Sequence, residues 1–471
     1  MNANKILRSV SILSVCVLSA CAHFGKQAPL DNPTAYSLPA GQTAEVQAQW
    51  WRSLKDGRLN RYMEQAMQQA PALQVVQARL AQAQAQLGMV EAADKTQVGF
   101  SATGFGMYNG SKPDIQKYNP NADPNHWLSL ANAGLQASWV FDFWGKNRAQ
   151  IAAVVGQQNA LRYEMEQTRL VLAQAIAAQY FAWQNIVGQQ EILQQRIDNA
   201  AATEKLLQQR VRAQLLPGSA VYPAQMAQQQ MKLQILALDR DAARLRHSLA
   251  ALTGQPATAL DDEKPNKMAE LPAVKVANLK ADLLGRRPDI AAQRELLASK
   301  MQGIEATKAE FYPNIELKLL AGLSRIDAFD LVNSHSRMMG LVPAVTLPIF
   351  TSGALQSKLA GKNAEYNQQV AQYNQTVLDA MKSAADALSD YQITRQQLLV
   401  QQDALGVQKK AAASALRRVQ AELENKVTYL QKQDDVLQQQ AVYLSQQSAG
   451  LTAWSNLQAQ LGGGFQDSAA R

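Results

Sequence analysis

Proline is missing from two long stretches of the chain, between Pro124 and Pro217 and again after Pro348. A proline inside a helix deletes a backbone hydrogen bond and clashes with the preceding turn, so its absence permits helices of unusual length. From Gly145 to Leu216 the pattern is nearly unbroken helix. At 1.5 Å per residue such a helix is about 105–110 Å long. A second run extends from Gly353 to about Glu424. No compact globule accommodates helices of this length. Abundant Gln and Ala, with only 6% aromatic residues, are the composition of long helices with one wet face.

Within the first run, Leu172, Ile176, Tyr180, Trp183 and Val187 recur at steps of three and four, and Leu193, Ile197, Leu206 and Val211 continue the stripe. Gln189, Gln190, Gln194 and Gln195 occupy the other face. The stripe predicts coiled-coil packing on neighbouring helices, with the opposite face in water.

The chain is written twice. PALQVVQARLAQAQAQLGMVEA from Pro71 matches PDIAAQRELLASKMQGIEATKA from Pro288 at a constant offset. A second constant offset pairs Gln167-Thr168 with Gln375-Thr376, Val211 with Val419, Gln225 with Gln433 and Gly254 with Gly462. Each copy predicts helix, strand, long hairpin loop, strand, long helix, turn and returning helix. The expected boundaries are a leader over 1–20, an N-terminal segment over 21–58, a first repeat over 59–254, a connector over 255–287, a second repeat over 288–462 and a tail over 463–471. Within the repeats the strands are placed at about 97–108, 133–143, 314–323 and 340–350. The long helices are placed at about 145–216, 218–254, 353–424 and 427–461.

The strands alternate. Leu135, Ala137, Trp139, Phe141 and Phe143 share one face, and Gln136, Ser138 and Asp142 the other. Ile315, Leu317, Leu319, Ala321 and Leu323 point one way, and Glu316, Lys318 and Leu320 the other. About ten residues at 3.3 Å, tilted by about 40°, cover roughly 25 Å, the height of the apolar band of an outer membrane. Every sheet edge in lipid must be paired, and four strands cannot close around a lumen. Two copies supply eight strands, which side chains fill. Three supply twelve, enough for a pore. The hairpin loops, Asn109–Asn132 and Ser324–Met339, are long and polar.

Lys5 and Arg8 precede an apolar run from Val10 to Ala20, a secretory leader too short to span a bilayer. It ends in Leu18-Ser19-Ala20-Cys21, which resembles the lipobox of bacterial lipoproteins. That resemblance implies cleavage before Cys21 and attachment of a diacylglycerol and an N-acyl lipid (palmitate) to it. Ala22, where retained lipoproteins carry Asp, implies the outer membrane. Cys16 leaves with the leader, so no disulfide is expected. Removing residues 1–20 leaves 44 basic against 38 acidic residues, a net +6. No cluster of Lys and Arg with interleaved aromatics accompanies that excess, and no nucleic-acid partner is expected.

The motifs of catalysis are missing. His23, His126, His247 and His335 lack metal-ligand spacing. No phosphate loop, nucleophile elbow or triad is legible. The chain is expected to be a passive conduit with no enzymatic activity and no cofactor beyond the lipid on Cys21.

The segments WWRSLKDGRLNRYM near Trp50, LLGRRPDI at Leu283–Ile290, AEFYPNIEL at Ala309–Leu317, LPIFTSGAL at Leu347–Leu355 and LGGGFQ at Leu461–Gln466 resemble those of the TolC-like outer-membrane factors, in their lipidated, NodT-type efflux branch. The resemblance covers nearly the whole mature chain. It implies a mainly α fold of long coiled helical hairpins forming a periplasmic α-barrel, with four β-strands per chain closed as a homotrimeric twelve-stranded barrel, and an equatorial belt that takes in residues 21–58 and the connector. It implies the exit duct of a tripartite pump for drugs or toxic small molecules, working with a periplasmic adaptor and, indirectly, an inner-membrane transporter. Two other roles stay open: a polypeptide-secretion channel on the same fold, and a coiled-coil lipoprotein that spaces the envelope.

By register, the resemblance places the adaptor-contacting periplasmic tips at Gln214, Leu215, Glu422 and Leu423. Glycines usual in the family are replaced there by Gln214 and Glu422. It places the channel constriction at Thr428 and Gln431, where well-known members carry aspartates. Glu422, Glu424, Asp434 and Asp435 lie near enough to supply a replacement acidic ring.

Overall fold

The long helices exist and are equal. In the computed structural model, which describes residues 24–34, 46–108, 127–274, 286–326, 331 and 336–465, the helices Lys146–Arg212 and Ala354–Gln420 each have 67 residues. They begin and end at positions that the second sequence offset pairs. We number the helices α1 (Gly57–Gln69), α2 (Pro71–Ala93), α3 (Lys146–Arg212), α4 (Tyr222–Leu252), α5 (Pro288–Ala309), α6 (Ala354–Gln420) and α7 (Lys426–Gln460). The strands are β1 (Gln97–Tyr108), β2 (Trp127–Phe141), β3 (Asn314–Ile326) and β4 (Arg337–Thr346). The leader, Cys21, most of both hairpin loops, part of the connector and residues 466–471 lie outside the described residues.

The chain divides into two units. One comprises Met1–Pro33, Leu80–Asn159 and Arg294–Gln372, and the other Thr34–Arg79, Ala160–Gln293 and Tyr373–Arg471.

The first unit holds a four-stranded antiparallel sheet in the order β1-β2-β3-β4, so β1 and β4 are its edges. Its register brings the alternating sets together: Leu135 opposes Ala321, Ala137 opposes Leu319, Trp139 opposes Leu317 and Phe141 opposes Ile315. Val98 and Phe100 on β1 and Leu341 and Val345 on β4 extend the same face. That apolar face is exposed, with Phe100 at 70% and Val345 at 65% of full accessibility. On the opposite face, Gln97, Ser138, Glu316 and Lys318 lie toward the helix end. Higher up, the Ser324 hydroxyl donates to Asn132 Oδ1 at 2.6 Å.

Strand limits differ from expectation. β2 begins at Trp127, not near 133, because its pairing with β1 continues to Tyr108 opposite Trp127. It ends at Phe141, and Phe143 lies just beyond it, stacked on Phe141 with centroids 5.7 Å apart. β3 continues to Ile326 along its β2 partner. β4 spans Arg337–Thr346 instead of about 340–350. Pro348 follows it closely, and Pro343 within it sits on an edge strand, where a missing backbone donor is tolerated. Phe24 packs edge-on against Phe311 at 4.9 Å, beside a cluster of Ile304, Leu359, Tyr366 and Val370.

The second unit is helical. Its core joins Trp50, Leu59, Tyr62 and Met63 to Leu172, Ile176, Tyr180 and Trp183 of α3, Leu249 of α4, and Leu451, Trp454 and Leu457 of α7. The α3 stripe is buried there and at Leu193 and Ile197, but only half-buried at Leu206 and Val211.

Two quoted motifs have structural roles in this unit. Asp56 caps α1 by accepting from the backbone N–H groups of Arg58 and Leu59. It is buried, and also accepts from the Tyr180 hydroxyl at 2.9 Å, Gln184 Nε2 at 3.2 Å and Asn266 Nδ2 at 2.8 Å. Five donors repay the burial of one carboxylate, and Asn266 ties the connector to the helices. Arg287 grips Asp289 at two points, 3.1 and 2.7 Å, and donates to the Gln460 carbonyl at the end of α7 at 2.9 Å.

Candidate functional site at the two helical turns

Both long helices end in the same motif. Leu215 N–H donates to Arg210 O at 2.9 Å and Gln214 N–H to Val211 O at 2.9 Å. Leu423 N–H donates to Arg418 O at 2.8 Å and Glu422 N–H to Val419 O at 3.1 Å. These are paired Schellman closures, which need a left-handed residue after the helix. Gln214 has φ 57° and Glu422 φ 58°. The closure corrects the expected helix ends: α3 stops at Arg212, not near 216, and α6 at Gln420, not near 424. A residue with a Cβ in this conformation costs about 1–2 kcal/mol relative to the right-handed region.

The residue after each left-handed position is apolar and exposed, Leu215 at 72% and Leu423 at 73%. After the first turn, Gly218–Val221 forms a short 3-10 helix, and Pro223 at the start of α4 fixes its beginning at Tyr222. After the second, the Asn425 side chain accepts from Val427 N–H at 3.0 Å and caps α7.

Thr428 and Gln431 lie in the first turns of α7. Thr428 is half-buried and its N–H donates to Asn425 O at 3.0 Å. Gln431 is exposed and lines a cavity of about 460 Å³ with Arg196, Asn199, Met231 and Asp434. Across that cavity Arg196 meets Asp434, Nε to Oδ1 at 2.8 Å and Nη2 to Oδ2 at 3.1 Å. Burial opposes the charge on Asp434, but the hydrogen bonds from Arg196 and Gln438 outweigh it and hold the carboxyl below its ordinary range. Asn199 Nδ2 donates to Leu430 O at 2.7 Å, joining α3 to α7 beside the pair.

Three of the four candidate replacement acids are thus engaged. Asp434 is held by Arg196, Asp435 by Lys432 at 3.0 Å and Glu424 by Arg418 at 3.5 Å. Glu422 is exposed. Arg196 and Asn199 did not stand out in the sequence. The one available signal was a basic residue inside a Gln-rich stretch, directly beside the apolar stripe at Ile197.

Among the described residues no group of His, Cys, Asp and Glu is arranged to hold a metal ion, and no helix is long and apolar enough to cross a membrane. Among the described residues the four-stranded sheet carries an exposed apolar face. Residues 62–255 and 279–463 match the family described as outer membrane efflux protein. The chain belongs to that family. It is 27% identical over 378 residues to the multidrug resistance outer membrane protein MdtP of Escherichia coli K12, covering 78% of this chain and 76% of the relative. It is 31% identical over 353 residues to the putative multidrug resistance outer membrane protein MdtQ of the same organism, covering 72% and 70%. Among solved structures it resembles the outer membrane protein VceC of Vibrio cholerae, with TM-score 0.77, 26% identity, and 89% and 100% of the two chains covered. It also shares the fold of the CmeC outer membrane channel of Campylobacter jejuni, with TM-score 0.81, 20% identity, and 94% and 95% covered. The molecule is an outer-membrane channel of the efflux class, and the TolC-like resemblance read from its motifs holds.

Proposed function

We propose that this channel works as a homotrimer, with three four-stranded sheets closed into a twelve-stranded barrel in the outer membrane and the helices forming a periplasmic α-barrel. Residues 59–254 and 288–462 act as two copies of one unit, with 21–58 and 255–287 contributing to a belt. Cys21 carries the lipid anchor. The observation that carries this reading is a sheet with both edges open and one face exposed and apolar. The apolar face is disfavoured in water and the open edges in lipid, and neighbouring copies pair both edges.

The helices support the same assembly. On α4, Tyr222, Met226, Leu233 and Leu236 follow heptad spacing and are exposed, and on α6 Ile393, Val400 and Val407 repeat every seven residues and are exposed. Such seams pack into a partner's seam, and a second copy supplies it.

Gln214, Leu215, Glu422 and Leu423 form the tip that meets a periplasmic adaptor, which links the duct to an inner-membrane transporter. The left-handed turns push two leucines into solvent, where an apolar adaptor surface covers them. Thr428 and Gln431 line a constriction of low charge. The cargo is drugs or toxic small molecules, in keeping with the multidrug relatives, and passes with no chemistry in the channel.

The test is disulfide trapping between edges. Ser101→Cys or Thr103→Cys on β1 is combined with Val342→Cys or Ala344→Cys on β4, and membranes are run on non-reducing gels. The expected product is a ladder ending at trimer. Exclusively monomeric chain across all four combinations, in protein that remains in the outer membrane, overturns the closed barrel.

A further inference from the structure

We infer that one acyl chain of the lipid on Cys21 seats in a cavity of its own polypeptide, where the sheet meets the helices, instead of lying free in the bilayer. The inference rests on the lipid anchor and the membrane barrel proposed above.

The segment that follows Cys21 leads toward that cavity. Asp31 N–H donates to Asn367 Oδ1 at 2.9 Å, and Asn367 Nδ2 donates to Pro29 O at 3.1 Å. Nearer the N-terminus, Asn363 Nδ2 donates to Gln27 Oε1 at 3.3 Å. Gly25 then lies beside Gln356, whose Cγ would stand 3.3 Å from an added Cβ. From Asp31 back to Gly25 the segment thus climbs α6 from Asn367 to Gln356, about 16 Å at 1.5 Å per residue, toward the helix start at Ala354. Phe24 sets the end of the climb. It meets Phe311 edge-on at 4.9 Å and, like Leu355, packs on the cluster of Ile304 and Leu359. Three residues separate Phe24 from Cys21 and span at most about 10 Å.

Leu355 is shared with the cavity. It lines, with Phe141, Trp144, Tyr312, Pro313 and Pro348, a space of about 400 Å³, within the size range of small-molecule sites. The charged groups of the lining and its indole are spent on protein partners. Trp144 stacks on Tyr312 at 4.8 Å and its Nε1–H donates to Pro313 O at 2.7 Å. Lys146 and Lys358 both hold Glu310, at 3.5 and 2.5 Å. Asp142 accepts from the backbone N–H groups of Asn147 and Arg148, both at 3.0 Å, and from Arg148 Nε at 3.3 Å. Asn147 Nδ2 donates to Asp94 Oδ1 at 2.9 Å. These groups ask nothing of a ligand. Aromatic faces, two prolines and a leucine remain, and they suit an apolar occupant.

An acyl chain gains little by moving from lipid into a dry protein slot, since both are equally apolar. This cavity, however, opens at the helix end of the sheet, where β2 stops at Phe141 and β3 starts at Asn314. In the barrel that is the boundary at which the apolar band gives way to water. Ile349 and Phe350 stand there too, at 90% and 86% exposure. Apolar surface at that depth is wetted unless something covers it. A chain tethered about 10 Å away covers it at a high effective concentration, and it loses no translational freedom that an untethered phospholipid would have to give up.

The experiment uses full-length protein in its own membranes. Cells are fed a palmitate analogue with a diazirine at its far end, membranes are illuminated, and cross-linked peptides of the purified protein are identified by mass spectrometry. The expected cross-links join the lipidated N-terminal peptide to peptides within 140–147, 309–314 or 346–355, in chains that run as monomer on denaturing gels. Thr346→Trp, which narrows the cavity from its lining, is expected to reduce these cross-links several-fold in favour of phospholipid while the acyl label on the N-terminal peptide is unchanged. Wild-type cross-links that go only to phospholipid, or to peptides elsewhere in the chain, overturn the seat whatever the variant does. Cross-linked dimer would put the acyl chain in a neighbour's cavity and overturn the seat in its own. Failure of the underlying reading looks different: no label reaches the N-terminal peptide if the anchor is wrong, and no heat-resistant trimer forms if the barrel is.

Discussion

Arg196 of α3 and Asp434 of α7 form a two-point ion pair, 238 positions apart in the chain, at 2.8 and 3.1 Å. Both side chains are largely covered, at 23% and 29% exposure. Removing the arginine leaves a carboxylate in a partly dry cavity. Arg196→Gln is expected to cost about 1–2 kcal/mol, more than an exposed pair and less than a fully buried one. The folded-state pKa of Asp434 is depressed, so the stability it contributes is complete above the unfolded value of about 3.9 and is lost as pH falls through the folded one. Acid melts of the variant, compared with wild type, check this: the Asp434 contribution to the acid limb should shrink.

A second acid-sensitive clasp joins α1 to the segment after α4. Glu263 accepts from Arg58 at 2.8 Å, Arg61 at 2.6 Å and the Tyr62 hydroxyl at 3.0 Å. Burial opposes its charge, but these donors prevail and lower its pKa. Its contribution is therefore full above about pH 4.3 and disappears below, as the carboxyl protonates. Glu263→Gln is expected to lower the melting temperature at pH 7 and to narrow the gap to wild type at low pH. A gap that does not change with pH refutes the ionic account.

The left-handed residues at the tips offer the reverse effect. Gln214→Gly and Glu422→Gly remove the Cβ penalty at φ 57° and 58°, worth about 1 kcal/mol each after the entropy glycine adds to the unfolded chain. Melting of the double variant should rise, and Gln214→Ala should not raise it. Amide exchange at Leu215 and Leu423, whose N–H groups close the turns, should slow in the glycine variants.

What was legible follows from which forces act locally. The α3 stripe at Leu172, Ile176, Tyr180 and Trp183 could be read because a core one helix face wide imposes steps of three and four. The sheet faces could be read because Leu135 to Phe141 and Ile315 to Leu323 alternate, apart from Val140 and Leu320. The start of β2 could not: Ser129 falls on the apolar face and Leu130 on the other, which breaks the alternation, and only pairing with β1 carries β2 back to Trp127. The helix ends slipped because Gln214 and Glu422 close their helices without the glycine that usually announces it. Arg196 and Asp434 had no local signature, since the partners come from different repeats.

One glycine pair sets how closely the backbones of β2 and β3 approach. Gly134 opposes Gly322, and a Cβ on Gly322 would stand 2.4 Å from the Ala133 carbonyl and 2.5 Å from Gly134 Cα. No flexible side chain is there to give way. Gly322→Val is expected to strand the protein as unassembled monomer, whereas Gly340→Ala, with nothing within 4 Å of its added Cβ, should assemble normally. Heat-resistant oligomer on gels separates the two outcomes.

The charge of the constriction makes the sharpest functional prediction. If Thr428 and Gln431 line it, a trimer lacks two rings of three carboxylates, and like charges about 6 Å apart repel by about 0.7 kcal/mol per pair even in water. Such rings attract multivalent cations, and neutral side chains do not. The acids nearby do not substitute freely, because Asp434, Asp435 and Glu424 each sit against a basic partner. Wild-type channels in a planar bilayer should therefore be blocked only weakly by a trivalent cation on the periplasmic side. Gln431→Asp should strengthen the block by restoring a ring. Arg196→Gln should strengthen it by a different route, since Asp434 lines the same cavity as Gln431 and loses its counter-charge. Tight block of the wild type that Glu422→Gln abolishes would instead place the constriction at the second turn, on the one candidate acid left exposed there.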